Sequence, residues 1–242
     1  MWPLTRNTPK ALLDLGRGVT VIESQLASIR EAGLVNVTLV VGFLAEQVEA
    51  KVRRFDGLKV DFVYNPFFDV SNNLVSLWMA RHVMGDEFIS INGDDVFHAD
   101  VLRTLAAAAQ PPDITMVIDR KPRYEAEDMK VVVHADRVLE VSKQVPLDRA
   151  NGESIGIIRY SGAGARAMRD MLDEMVRRPE GKTVFYLEAI QQLANQGFPI
   201  GFVEVDQTLW SEIDFHPDLD LIRQNVMRVG AHLLSESPRA DT

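Results

Sequence analysis

Residues 1–13, MWPLTRNTPKALL, open the chain with its most distinctive short motif. In this motif three residues separate Pro3-Leu4-Thr5 from Pro9-Lys10. A segment of helical period at 19–32 comes next and ends at Gly33, a residue typical of a helix C-terminal cap. Apolar runs rich in β-branched residues then alternate with segments of helical period along the chain, which predicts an α/β sheet.

The alternation also gives expected element positions. Helices are predicted at 19–32, from about 44 to 52, at 74–83, up to about 109, at 162–177 and at 184–196. Strands are predicted at 37–41, 60–63, 87–91, 114–118, 129–133, 137–141, 155–160 and 200–205.

Composition limits the classes of protein that the chain can belong to. The 242 residues are 46% hydrophobic and 25% charged, as in an ordinary globular protein. A net charge of −9 argues against nucleic-acid and anionic-membrane partners. The absence of cysteine excludes disulfides, thiolate metal sites and a cysteine nucleophile. No apolar run approaches the ~20 residues that span a bilayer, and no signal peptide is recognisable, so we expect a cytoplasmic protein.

Two acidic stretches are candidate metal ligands. Asn92-Gly93-Asp94-Asp95 follows an apolar strand, which places its carboxylates at the edge where α/β sheets bind ligands. Trp210-Ser211-Glu212-Ile213-Asp214 puts Glu212 and Asp214 on one face if the segment is a strand. Helix capping is the alternative for Asp94 and for Asp214. Hard oxygen ligands suit Mg²⁺.

A third stretch is rich in asparagine. Tyr64-Asn65-Pro66 is followed by Ser71-Asn72-Asn73-Leu74 and then by Ser76. Asn72 and Asn73 precede a helix and can cap it, while their amides can also bind a ligand. Capping alone accounts for one asparagine, so a ligand role is expected for this stretch.

These motifs resemble those of nucleotidyltransferases, and the asparagine-rich stretch resembles the phosphocholine cytidylyltransferase-like branch. The family carries P-L-T-x-x-x-P-K-x-L, a G-D-[NV] motif and a W-x-E-I-D motif in this order; Asp95 stands where asparagine or valine is usual. The resemblance implies a Rossmann-like, three-layer α/β fold of the nucleotide-diphospho-sugar transferase type, with a mixed, mainly parallel sheet.

In the family a strand and a glycine-rich turn, L-A-A-G-x-G-x-R, come before the P-L-T motif, so we expect the first strand to be missing here. A translation start assigned too far downstream is the expected explanation, and a truncated homologue is the alternative. The resemblance implies one domain at 1–234, whose acceptor-binding part covers about 121–205. Residues 235–242 are expected to form a disordered tail.

The resemblance also implies residue roles. Asp94 and Asp214 would bind Mg²⁺, Lys10 the triphosphate and Lys143 the acceptor phosphate. Gly42 and Gly93 would lie at the nucleotide. Trp78, Tyr186 and Trp210 are candidate aromatic faces for a quaternary ammonium group. The residues expected at the substrates are Asn65, Asn72, Asn73, Ser76, Glu153, Tyr186, Glu188, Trp210 and Glu212.

The function implied is Mg²⁺-dependent transfer of CMP from CTP to a small phosphorylated or phosphonylated alcohol or amine, with release of pyrophosphate. One alternative is a sugar-1-phosphate nucleotidyltransferase that uses UTP, dTTP or GTP. The other is a non-catalytic homologue that binds only the acceptor. No nucleic acid or membrane partner is expected, and the sequence leaves a homo-oligomer open.

Overall fold

The computed structural model describes residues 4–109 and 111–213. Two short 3-10 helices, Leu4–Arg6 and Lys10–Leu12, come first. The α-helices that follow are α1 (Val21–Glu31), α2 (Ala45–Val52), α3 (Asn73–Met79), α4 (Ala99–Ala107), α5 (Gly162–Met175) and α6 (Leu187–Asn195). The strands are β1 (Asn36–Val41), β2 (Lys59–Tyr64), β3 (Glu87–Ile91), β4 (Asp95–Phe97), β5 (Ile114–Asp119), β6 (Lys130–His134), β7 (Arg137–Val141), β8 (Gly152–Ser161), β9 (Ile200–Val205) and β10 (Trp210–Glu212).

The described strands form three sheets. The largest has six strands in the order β7-β6-β8-β5-β9, with β3 paired to β8. Strands β1 and β2 pair in parallel as a separate two-stranded sheet, and β4 pairs antiparallel with β10. In the largest sheet β5 and β9 are parallel, whereas β8 runs antiparallel to β5, β3 and β6.

Apolar side chains cover both faces of the largest sheet. Alternate residues of a strand point to opposite faces, and in β5 Ile114, Met116 and Ile118 join the core that includes α5 and α6. Val117 faces the other way, into a core with Val101, Leu102 and Leu105 of α4. Helices on both faces of a sheet make a three-layer α/β arrangement.

The expected α/β fold with a mixed sheet is confirmed. The expectation that the sheet is mainly parallel is wrong for the described part of the chain. Parallel pairs there are β1/β2 and β5/β9, and the antiparallel pairs outnumber them. The reason lies in β8, a ten-residue strand that runs against its neighbours after the β6/β7 hairpin has reversed the chain.

Helix α1 packs beside β4 and fixes one wall of the candidate site. Its N-terminus is closed by a capping box between Thr20 and Glu23, which satisfies backbone N–H groups that a helix start leaves without partners. Ser28 of α1 donates a hydrogen bond of 2.6 Å to the carbonyl of Phe97. Within the described ranges, no helix is long and apolar enough to cross a membrane.

Candidate active site

Three carboxylates meet where β4 pairs with β10. Asp94 closes the turn after β3, Asp95 begins β4, and Glu212 ends β10 directly opposite Asp95. One oxygen atom from each of the three lies within 4.8 Å of the others. We call these three residues the acidic cluster. Because all its donors are hard carboxylate oxygens, the cluster fits a Mg²⁺ ion.

The acidic cluster differs from the predicted metal site in its membership. Asp94 belongs to it as expected, whereas Asp214 lies outside the described residues. Glu212, predicted at the substrate, lies in the cluster. Asp95 was missed, because it replaces the family's usual asparagine or valine and only the cross-strand pairing with Glu212 reveals its place.

Lys10 brings a positive charge to the acidic cluster. Its Nζ lies 2.8 Å from Oδ2 of Asp94, and each side chain keeps a little under a third of its surface exposed. Lys10 is fixed by the 3-10 helix Lys10–Leu12, whose backbone is closed by a hydrogen bond from Leu12 N to the Pro9 carbonyl. The predicted triphosphate lysine and a predicted metal ligand are therefore in contact.

A buried layer supports the turn that carries Asp94. The backbone N–H of Asn92 donates to the Gly156 carbonyl at 3.1 Å, and that of Ile213 donates to the Asp94 carbonyl at 3.1 Å. The hydroxyl of Tyr186 lies 3.4 Å from Asn92 Oδ1 and from the Gly156 carbonyl. Burial keeps the pKa of Tyr186 well above its usual value, so this hydroxyl stays protonated and can donate.

The predicted ligand residue Asn65 is buried and forms hydrogen bonds within the protein. The residue is 2% exposed. Its Nδ2 donates to the hydroxyls of Ser76 at 3.0 Å and Ser71 at 3.4 Å, and its Oδ1 accepts from the N–H of Phe67. Asn65 and Ser76 thus contact each other and shape the loop after β2.

Asn72 and Asn73 link the start of α3 to the segment before α6. Asn72 Oδ1 accepts from the N–H of Asn73 and caps α3, while its Nδ2 donates to the Thr183 carbonyl at 3.2 Å. Asn73 Oδ1 accepts from the N–H of Tyr186 at 2.9 Å. Both asparagines therefore have structural partners, and their contact with a ligand stays a prediction.

The loop after β5 is held by two lysines. Lys130 is 2% exposed, and its Nζ donates to the carbonyls of Glu125, Ala126 and Asp128. Lys121 Nζ lies 2.8 Å from Asp128 Oδ2 and 2.6 Å from Glu153 Oε2. Burial raises the pKa of Glu153 to about 7, and Lys121 opposes that rise. Glu153 thus supports the loop within the predicted acceptor region.

Three other predicted residues have local partners. Trp210 donates from Nε1 to Asp119 Oδ2 at 3.1 Å, two residues before Glu212. Lys143 Nζ lies 3.3 Å from Glu127 Oε2, and Glu188 accepts from Gln192. The structure therefore brings Lys10, Asp94 and Glu212 together, with Trp210 on the same strand as Glu212, while Lys143, Glu153 and Glu188 contact other groups.

Gly42 and Gly93 differ in the space around them. A Cβ atom at Gly42 would collide with the Phe68 side chain, so packing requires a glycine after β1. A Cβ atom at Gly93 would meet no atom within 4 Å. The turn beside Asp94 is therefore open on that side.

A three-layer α/β fold with an acidic cluster and a lysine at the strand ends is typical of enzymes that handle nucleoside triphosphates. The chain belongs to the MobA-like NTP transferase domain family, which matches residues 5–175. The predicted nucleotidyltransferase family is thus confirmed.

Curated relatives place the chain near cytidylyltransferases. It is 28% identical over 217 residues to CMP-5'-(3-aminopropyl)phosphonate synthase of Streptomyces rubellomurinus, a match that covers 85% of this chain and 33% of that protein. It is 23% identical over 208 residues to choline-phosphate cytidylyltransferase of Streptococcus pneumoniae, covering 78% of this chain and 88% of that protein. The chain thus spans about a third of the length of the first relative and most of the second.

Solved structures share the fold. The inositol-1-phosphate CTP transferase of T. maritima superposes with a TM-score of 0.76 at 18% identity, covering 93% of this chain and 91% of that one. The CTP:phosphocholine cytidylyltransferase of Streptococcus pneumoniae gives a TM-score of 0.73 at 19% identity, covering 93% and 92%. At these identities the likeness establishes the fold alone.

Proposed function

We propose that the chain is a Mg²⁺-dependent cytidylyltransferase that transfers CMP from CTP to a small phosphorylated or phosphonylated alcohol or amine. The observation that carries this proposal is the acidic cluster with Lys10 in contact with it. The names of the two curated relatives favour CTP and an acceptor of this size.

In the proposed reaction an oxygen of the acceptor phosphate or phosphonate attacks the α-phosphorus of CTP. The bond from the α-phosphorus to the oxygen that bridges to the β-phosphorus breaks, and pyrophosphate leaves with the electron pair. The protein supplies no nucleophile, so its work is positioning and charge stabilisation. A bound Mg²⁺ would neutralise charge on the phosphate oxygens.

The chain's own residues divide this work. Asp94, Asp95 and Glu212 would hold the cation, with Asp214 as a further proposed ligand. Lys10 would leave Asp94 and bind the phosphates of CTP. There its ammonium group would stabilise the negative charge that develops during transfer. Lys143 stays the proposed partner of the acceptor phosphate.

The best placed aromatic side chain for an ammonium group of the acceptor is Trp210. Trp78 has Arg81 stacked 4.0 Å from its ring centroid and is bound through Nε1 to Asp173, and Tyr186 is 4% exposed. Trp210 is partly exposed, and its hydrogen bond to Asp119 orients its ring. It lies on the same strand as Glu212. A partly exposed aromatic face is a favourable environment for a quaternary or primary ammonium group.

The test is pyrophosphate release with Mg²⁺, measured for CTP, UTP, dTTP and GTP against phosphocholine, phosphoethanolamine, 2-aminoethylphosphonate and glucose-1-phosphate. We expect turnover with CTP and an amino-alcohol phosphate or aminoalkylphosphonate. Turnover only with glucose-1-phosphate and another nucleotide would replace this proposal by a sugar-1-phosphate nucleotidyltransferase. Binding of an acceptor without binding of any nucleotide would replace it by a non-catalytic homologue.

An Asp94→Asn variant tests the site within the same assay. We expect a loss of turnover of at least ~10³-fold, because the amide cannot supply a charged ligand to the cation. The matched control is Asp136→Asn, at a turn where the side chain is 82% exposed. Equal activity of the two variants would contradict the metal assignment.

A further inference from the structure

Gln25 of α1 reaches across to the turn that carries Asp94. Gln25 is 4% exposed, and a single atom of it, Nε2, lies 2.8 Å from the Asn92 carbonyl and 2.8 Å from the Asp95 carbonyl. A primary amide nitrogen has two hydrogens, so both are used in these two bonds. The two acceptors flank Gly93 and Asp94 in sequence.

This arrangement fixes the width of the turn. The two carbonyls belong to the residues on either side of the Gly93-Asp94 pair, so the amide sets how far apart the two ends of the turn lie. Gly93 itself is exposed and has no atom near its missing Cβ. The turn is also bonded through the Asn92 N–H to the Gly156 carbonyl and through the Asp94 carbonyl to the Ile213 N–H, but neither bond joins the two ends of the turn to each other.

We propose that Gln25 is a positioning residue that holds Asp94 and Asp95 at the spacing needed to bind a divalent cation. This inference rests on the proposed function, because it assumes that the acidic cluster binds the cation. Gln25 acts through the backbone of the turn and contacts neither cation nor substrate. Residues that orient metal ligands without touching the metal affect its affinity strongly.

Ser28 provides a matched comparison on the same helix. Its hydroxyl bonds the Phe97 carbonyl at 2.6 Å, so it also ties α1 to β4, but three residues beyond Asp94. If Gln25 served only to attach α1, the two residues would be equivalent. The proposal predicts that they differ in their effect on cation binding.

The experiment measures Mn²⁺ binding by electron paramagnetic resonance and by calorimetry for the wild type, Gln25→Met and Ser28→Ala. Gln25→Met keeps the side-chain length and removes both donors. We expect its Mn²⁺ affinity to fall about 10–100-fold, while Ser28→Ala stays within about twofold of the wild type. Melting temperatures of both variants measure the structural effect separately.

A Gln25→Asn variant keeps the amide but shortens it by one methylene, so it cannot bridge both carbonyls. It is used if Gln25→Met does not fold, and it is expected to weaken Mn²⁺ binding as well. The half-saturating Mg²⁺ concentration and the KM for CTP are measured in parallel. We expect the half-saturating Mg²⁺ concentration to rise and the KM for CTP to change less.

The outcomes separate this inference from the proposed function. If the wild type binds Mn²⁺ and Gln25→Met or Gln25→Asn binds it equally well, the positioning role is wrong and the proposed function stands. If Ser28→Ala weakens binding as much as Gln25→Met, the role is merely structural. If the wild type binds no divalent cation with or without CTP, the metal assignment and this inference both fail.

Discussion

Lys10 Nζ and Asp94 Oδ2 lie 2.8 Å apart, although 84 residues separate them in the chain. In the proposed function this pair would supply two of the charges needed, with Lys10 at the phosphates and Asp94 at the metal ion. Since both side chains are partly exposed, the ion pair adds little to stability. Its value lies in its position at the acidic cluster.

Replacing Lys10 by Met should reduce kcat/KM for CTP by about 10²–10³-fold, because removing one group that stabilises transition-state charge costs about this much. Steady-state pyrophosphate release measures the effect. The folded state should be nearly unaffected, and a thermal melt checks this. Lys59→Met, at an exposed position on β2, is the control and should keep wild-type kinetics. Equal kinetics for the two variants would remove Lys10 from the catalytic site.

Gly156→Ala should disrupt the support of the Asp94 turn. Gly156 has φ +73°, and a Cβ there would lie 2.9 Å from Asp95 Oδ2 and closer still to Asn92 Nδ2. Gly197→Ala is the control, because Gly197 has φ +85° with no atom within 4 Å of a Cβ. The free energy of unfolding of this control should fall by about 1 kcal/mol from backbone strain alone.

We expect Gly156→Ala to lower the free energy of unfolding by about 1–3 kcal/mol more than Gly197→Ala does, because overpacking adds to the backbone strain. Urea unfolding measures both values, and pyrophosphate release should fall only for Gly156→Ala. Similar values for the two variants would show that the contact with Asn92 and Asp95 is relieved without cost.

Glu153 should make stability depend on pH. Burial raises its pKa from 4.5 to about 7 in the folded protein. Between these values the folded protein holds a proton that the unfolded chain has lost, so the free energy of unfolding falls as pH rises from about 4.5 to 7. Above about pH 7 the free energy of unfolding has lost the whole contribution of Glu153 protonation, and below pH 4.5 it has lost none of it.

A Glu153→Gln variant removes this dependence. Its free energy of unfolding relative to the wild type should rise between pH 5 and pH 8 by at most about 3 kcal/mol, as measured by urea unfolding at each pH. Lys121 keeps Asp128 as a partner in the variant. A constant difference for Glu153→Gln would contradict the raised pKa.

Asn72→Ala should lower the free energy of unfolding by about 1–2 kcal/mol, because it removes the cap of α3 and the bond to the Thr183 carbonyl. Asn72→Asp keeps the acceptor and should recover the capping part. Urea unfolding measures both. A rise of tenfold or more in the KM for either substrate, in an Asn72→Asp protein of nearly normal stability, would instead support the predicted ligand contact.

Much of the element order follows from local sequence. The strands at Glu87–Ile91, Arg137–Val141 and Ile200–Val205 have the predicted bounds, because short runs rich in β-branched and other apolar residues favour strands. Lys10 and Asp94 were predicted differently, from the resemblance of the P-L-T-x-x-x-P-K and G-D motifs to those of the nucleotidyltransferase family. Helix α6, predicted at 184–196, is shorter, because Thr183 and Tyr186 bond Asn72 and Asn73 at the start of α3.

The sequence alone determined the α/β class, the family and three charged residues of the candidate site, Lys10, Asp94 and Glu212, because these depend on local periodicity and on motifs that are contiguous in the chain. Only the tertiary structure decided that Asp95 joins Asp94 and Glu212, and that Asn65, Asn72 and Asn73 bind backbone and hydroxyl groups of the protein itself. Strands of three residues such as β4 and β10 exist through their pairing with a distant partner. An amide or a carboxylate has the same chemistry wherever it lies, and its role is set by which distant groups the fold brings within hydrogen-bonding distance.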